Sequence, residues 1–109
     1  MKIMNNLEKL RKKINAIDDE ISLLLEKRFS VCGKIAEEKN KNGIKILDKE
    51  RESAVIKRVT EKVNAEYAEH VKAVYLAILS ESKKYQAELS KKQAERTEEN
   101  CDFSEKIGE

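Results

Sequence analysis

Residues 23–39 read LLLEKRFSVCGKIAEEK. With the residues before them they place Leu7, Leu10, Ile14, Ile17, Ile21, Leu24, Val31 and Ile35 on one row, at steps of three and four residues. Such a row is the buried stripe of an amphipathic helix. Between Leu24 and Val31 the position that completes the row is Arg28. A guanidinium where the pattern asks for leucine needs an ion partner, a path to water, or an anionic ligand.

The rest of the chain carries the same helical signature. Of 109 residues, 40% are charged, against roughly 25% in an average protein. Another 39% are hydrophobic, only 5% are aromatic, and there is no proline or tryptophan. Chains rich in Lys, Glu, Leu, Ile and Ala favour long amphipathic helices over sheets. The spacing predicts a first helix from Asn5 or Asn6, either of which can act as N-cap, to Asn40. Gly33 is its one internal weak point, and the NKNG run at 40–43 is its stop, with Gly43 suited to a left-handed turn. Asp48 reads as the N-cap of a second helix over Lys49–Val63, with a stripe of Glu52, Val55, Ile56, Val59 and Val63. A break at 64–66 precedes a third helix from Tyr67 to about Ser90 or a few residues beyond, striped by Val71, Val74, Tyr75, Ile78, Leu79 and Leu89. Residues 91–109 lose the apolar period and read as a polar tail, frayed helix or disordered, after a helical domain at 1–90.

The expected fold is therefore all-α, with one long helix and two shorter ones. A first helix of about 35 residues spans roughly 52 Å. A compact chain of this length has a radius of gyration of about 13 Å. One copy cannot cover such a stripe, so the geometry calls for an intertwined homodimeric bundle.

Composition also excludes classes of function. The formal net charge is +2, from 23 basic and 21 acidic residues of interleaved sign, so no basic face stands out for nucleic acid. No run approaches the roughly 20 apolar residues of a membrane span, and MKIMNNLEKL is not a secretory leader. Cys32 and Cys101 fit neither zinc nor redox spacing, and reduced thiols in a cytoplasmic protein account for them. No metal cluster, nucleophile–histidine pair or glycine-rich phosphate loop is present. His70, beside Glu69 at the start of the third helix, reads as a surface residue.

Arg28 has company on the apolar faces. Lys39 lies three turns further along the first helix, and Arg11 follows the row residue Leu10. Glu52 opens the stripe of the second helix, and Ser82 and Gln86 interrupt that of the third. Singly, each has a bland account: a snorkelling arginine, a glutamate or lysine placed for the helix dipole, a polar group that sets register. Together they bring polar groups from every helix into one core. Two or three cations with neutral donors suit a small dicarboxylate, which guanidinium grips by paired hydrogen bonds. Arg11 and Arg28 are about 25 Å apart along one helix, too far for a small ligand to bridge. If Arg11 serves such a site, it serves the one in the other copy.

These residues resemble the all-helical chorismate mutases. The resemblance runs from Leu7 to Leu89 and rests on LEKLRKKINAIDDEISLLLEKR (7–28), then Lys39, ILDKERE (46–52) and SESKKYQ (80–86). It implies an intertwined dimer converting chorismate to prephenate for phenylalanine and tyrosine biosynthesis, with no cofactor and no metal. It further implies that Arg28 pairs with one substrate carboxylate while Arg11 reaches the other from the partner chain. Lys39 and Gln86 would bond the ether oxygen, Glu52 the ring hydroxyl with help from the Asp48 backbone, and Arg51 and Ser82 would border the carboxylate pocket. Two alternatives stand beside it: an isochorismate-pyruvate lyase of the same fold, and a non-catalytic helical dimerisation module.

Overall fold

The computed structural model describes the backbone of residues 2–107 and the side chains of residues 5–92 and 94. Among the described residues all regular structure is helical: α1 (Lys2–Lys41), α2 (Lys49–Glu61) and α3 (Ala65–Ile107). Backbone packing separates two units, Met1–Val31 and Cys32–Glu109, and α1 contributes to both.

Local chemistry accounts for the boundaries. At the end of α1 the Gly43 N–H donates to the Asn40 carbonyl and the Ile44 N–H to the Lys39 carbonyl. Gly43 takes a φ of 67°. This pair of bonds around a left-handed glycine is the Schellman stop, which satisfies carbonyls that the helix leaves open. α2 begins at Asp48, whose extended backbone lets its carboxylate accept the Arg51 N–H at 2.9 Å. Asn64 starts α3 in a related way, its side-chain oxygen accepting from the Glu66 N–H.

Three expectations are corrected. α1 begins at Lys2, so Asn5 and Asn6 lie inside the helix and neither caps it. α2 ends at Glu61 rather than Val63, with Lys62 as its C-cap. α3 spans 43 residues and α1 spans 40, so the chain has two long helices and one of 13. The continuation of α3 past Ser90 follows from propensity: residues 91–107 are mostly Lys, Gln, Ala, Glu and Arg, with no glycine or proline.

In the first unit the apolar row is exposed. Leu7, Leu10, Ile14, Ile17, Ile21, Leu24 and Val31 are each between 45% and 60% accessible. In the second unit α2 packs on α3. The buried apolar residues are Cys32 and Ala36 on α1, Val55 on α2 and Leu79 on α3. Gly33 is buried too, and a Cβ there would meet Leu89 Cδ1 at 3.2 Å and Tyr85 Cε2 at 3.6 Å. Cys32, Gly33 and Ala36 thus give α1 a small-residue face against α3, and that face brings the backbone of α1 within reach of α3 side chains.

Candidate active site

Gln86 shows what this close approach permits. It is 8% exposed, and its Nε2 donates to the Cys32 carbonyl at 3.0 Å, 54 residues away in sequence. An amide nitrogen carries two N–H groups. One is held by α1, which fixes the plane of the amide and the direction of the second. Ser82, one turn earlier on the same side of α3, is 5% exposed and donates from Oγ to the Ile78 carbonyl at 2.7 Å. Both buried polar positions read from the stripe of the third helix are therefore real, and each has a partner.

Lys39 is seven residues beyond Cys32 on α1, about 10 Å along the axis and on nearly the same side. It is half-buried, and its ammonium donates to the Ile46 carbonyl at 3.1 Å. That bond ties the end of α1 to the loop that leads into α2. Asp48 and Arg51 are exposed. The Asp48 carbonyl accepts the Glu52 N–H at 3.0 Å and its carboxylate caps α2, so both of its acceptors serve the helix start. Glu52 is half-buried on the first turn of α2 and forms an ion pair with Lys83 of α3 at 3.0 Å.

Glu52 and Lys83 also line an open groove of about 590 Å³ between α2 and α3, with Ile56, Leu76 and Leu79 as its apolar part. Lys49, Lys57 and Lys72 stand at the same groove. Lys83 was absent from the residues singled out by sequence. Its signal was present: it lies four residues after Leu79 and three before Gln86, hence on the edge of the buried stripe.

Arg11 and Arg28 belong to the first unit. Arg11 is exposed, whereas Arg28 is half-buried although its row neighbours Leu24 and Val31 are 60% and 53% accessible. His70 is exposed, as the sequence suggests. Among the described residues no three His, Cys, Asp or Glu side chains are grouped to hold a metal. No helix among them is long and apolar enough to cross a membrane.

Residues 10–87 match the family described as chorismate mutase type II. The chain belongs to that family. The match takes in Arg11, Arg28, Lys39, Asp48, Arg51, Glu52, Ser82 and Gln86, every polar position named above from the sequence pattern. The chain is also 40% identical over 57 residues to the chorismate mutase of Methanocaldococcus jannaschii. That stretch is 52% of this chain and 58% of the archaeal protein, so the chain spans little more than half the length of the relative it matches. No solved structure matches it. The Gln86–Cys32 bond joins α3 to α1, and the Glu52–Lys83 pair joins α2 to α3.

Proposed function

We propose that this chain is a chorismate mutase that rearranges chorismate to prephenate in the cytoplasm, for phenylalanine and tyrosine biosynthesis. The observation that carries the reading is the buried Gln86 amide. It is held by one N–H, in a chain whose family match spans all the polar positions the reaction would use.

The chemistry fits such a site. The reaction is a unimolecular rearrangement in which one C–O bond breaks as one C–C bond forms. It needs no nucleophile and no proton shuttle. Chorismate is flexible and must be held in its folded, near-attack shape. Arg28 and the partner chain's Arg11 grip the two carboxylates, with Arg51 and Ser82 bordering that pocket. Negative charge gathers on the ether oxygen as the C–O bond lengthens. Lys39 and the second N–H of Gln86 oppose it, and a donor already fixed in place loses little in reorganisation at that moment. Glu52 accepts from the ring hydroxyl. Lys39 would exchange its contact with Ile46 for the substrate oxygen, which couples the α1–α2 loop to binding.

The exposed row on the first unit supports an intertwined homodimer. Seven apolar row positions, each 45% or more accessible, form a strip, interrupted only by Arg28, that a monomer would leave in water. A second copy covers it and delivers Arg11.

The test is a coupled assay on the purified chain with no added cofactor. It follows loss of chorismate and formation of prephenate, with isochorismate as a parallel substrate. Prephenate from chorismate is expected. Pyruvate from isochorismate without prephenate would make the chain a lyase, and inertness toward both would leave a dimerisation module.

A further inference from the structure

We propose that Lys83 is a positioning residue for the mutase reaction: its ammonium holds the Glu52 carboxylate in the orientation that accepts the substrate's ring hydroxyl. The inference rests on the proposed activity. It goes beyond it in assigning work to a residue that the resemblance leaves unassigned.

The pair joins two helices. Glu52 stands on the first turn of α2 and Lys83 on α3, and Lys83 Nζ meets Glu52 Oε1 at 3.0 Å. The two side chains are 27% and 39% exposed, a setting in which an ion pair adds little to stability. As a staple between helices the contact is weak, and α2 and α3 already pack on each other, with Val55 and Leu79 buried. As a geometric restraint it is effective. Glutamate has three rotatable bonds, and on the rim of an open groove its carboxylate would otherwise sample several rotamers. The ammonium fixes Oε1, and Oε2 remains to accept a hydrogen bond. Both residues line the same groove, with Ile56, Leu76 and Leu79 shielding one side.

Lys49, one turn before Glu52 on α2, and Lys57 also line the groove, whereas Lys72 lies eleven residues before Lys83 on α3, about three turns away. Lys83 is the lysine shown in contact with the carboxylate.

The experiment compares Lys83→Met, which keeps an unbranched stem, and Lys83→Arg, which keeps the charge, with wild type. Each is assayed on chorismate and on an analogue lacking the ring hydroxyl. If Lys83 acts through Glu52, Lys83→Met lowers kcat/KM for chorismate about tenfold, the scale of one charge-assisted hydrogen bond. It leaves the analogue within about twofold, Lys83→Arg restores most of the loss, and the melting midpoint is unchanged. Equal losses on both substrates would mean that Lys83 supports the fold or touches the substrate elsewhere, and would overturn the proposal. So would an undiminished rate on chorismate. Failure of the wild-type chain to convert chorismate would instead overturn the activity itself, and this inference with it.

Discussion

Replacing Gln86 with leucine separates a structural tie from a catalytic donor. The side chain is 8% exposed, and its Nε2 donates to the Cys32 carbonyl at 3.0 Å. Cys32 lies inside α1, so its carbonyl is also positioned to take the N–H four residues on, from Ala36. Leucine therefore removes one hydrogen bond without orphaning the acceptor. That limits the loss to about 0.5–1.5 kcal/mol, partly offset by the apolar side chain that fills the space. For a chain of this size the melting midpoint should fall by less than about 10 °C. The loss of a donor to the ether oxygen is larger: about 10²–10³ in kcat, or roughly 2.7–4 kcal/mol. The two effects differ enough to be told apart by thermal melting monitored by circular dichroism and by kcat/KM for chorismate. A folded Gln86→Leu protein that works within about tenfold of wild type would refute the donor role, because a fixed donor at the reacting oxygen is worth more than that. The amide would then be only a tie between α1 and α3.

Gln86→Glu keeps the shape but carries a donor only when protonated. Its ionised form would face the Cys32 carbonyl oxygen in a buried place, which raises the carboxyl pKa. Activity should therefore be present at low pH and fall as pH rises through that pKa, while wild type stays level; a flat profile in the variant would argue against the role. Arg11→Ala and Arg28→Ala should each cost about 2–5 kcal/mol of transition-state binding, and mixing the two inactive proteins should restore one working site per heterodimer. No recovery after confirmed subunit exchange would show that Arg11 does not act across the interface. Ile17→Lys changes a residue that is 51% accessible in the single chain, where a surface substitution should shift stability by no more than about 0.5 kcal/mol. If the row is a dimer seam, this substitution instead yields monomers on size-exclusion chromatography and abolishes activity; an unchanged elution volume and rate would remove the seam from the interface.

Part of the candidate site's layout was legible because its signals are violations of a regular pattern. Ser82 and Gln86 stand out only against an apolar stripe at helical spacing, and the structure buries both. Glu52 was visible for the same reason. Lys83 was not, since a lysine on the edge of a stripe looks like any solvated lysine until the opposing glutamate is placed across from it. Gly33 was read as a weak point within a helix. Its use, a close approach to Leu89 and Tyr85, depends on residues more than fifty positions away.

Helix type, the Gly43 stop and the Asp48 start could be read from the chain alone, because each depends on energies acting within a turn or two: side-chain period, a left-handed glycine, a carboxylate three residues before an open N–H. The length of α3 was underestimated by the same local reading, which tracked apolar residues and read 91–109 as frayed helix or disorder where helix propensity sufficed to continue to Ile107. Pairings between helices were decided only in three dimensions. That Gln86 binds the Cys32 carbonyl and Lys83 binds Glu52 follows from how closely the small-residue face of α1 and the first turn of α2 come to α3, a distance that periodicity along one helix does not contain.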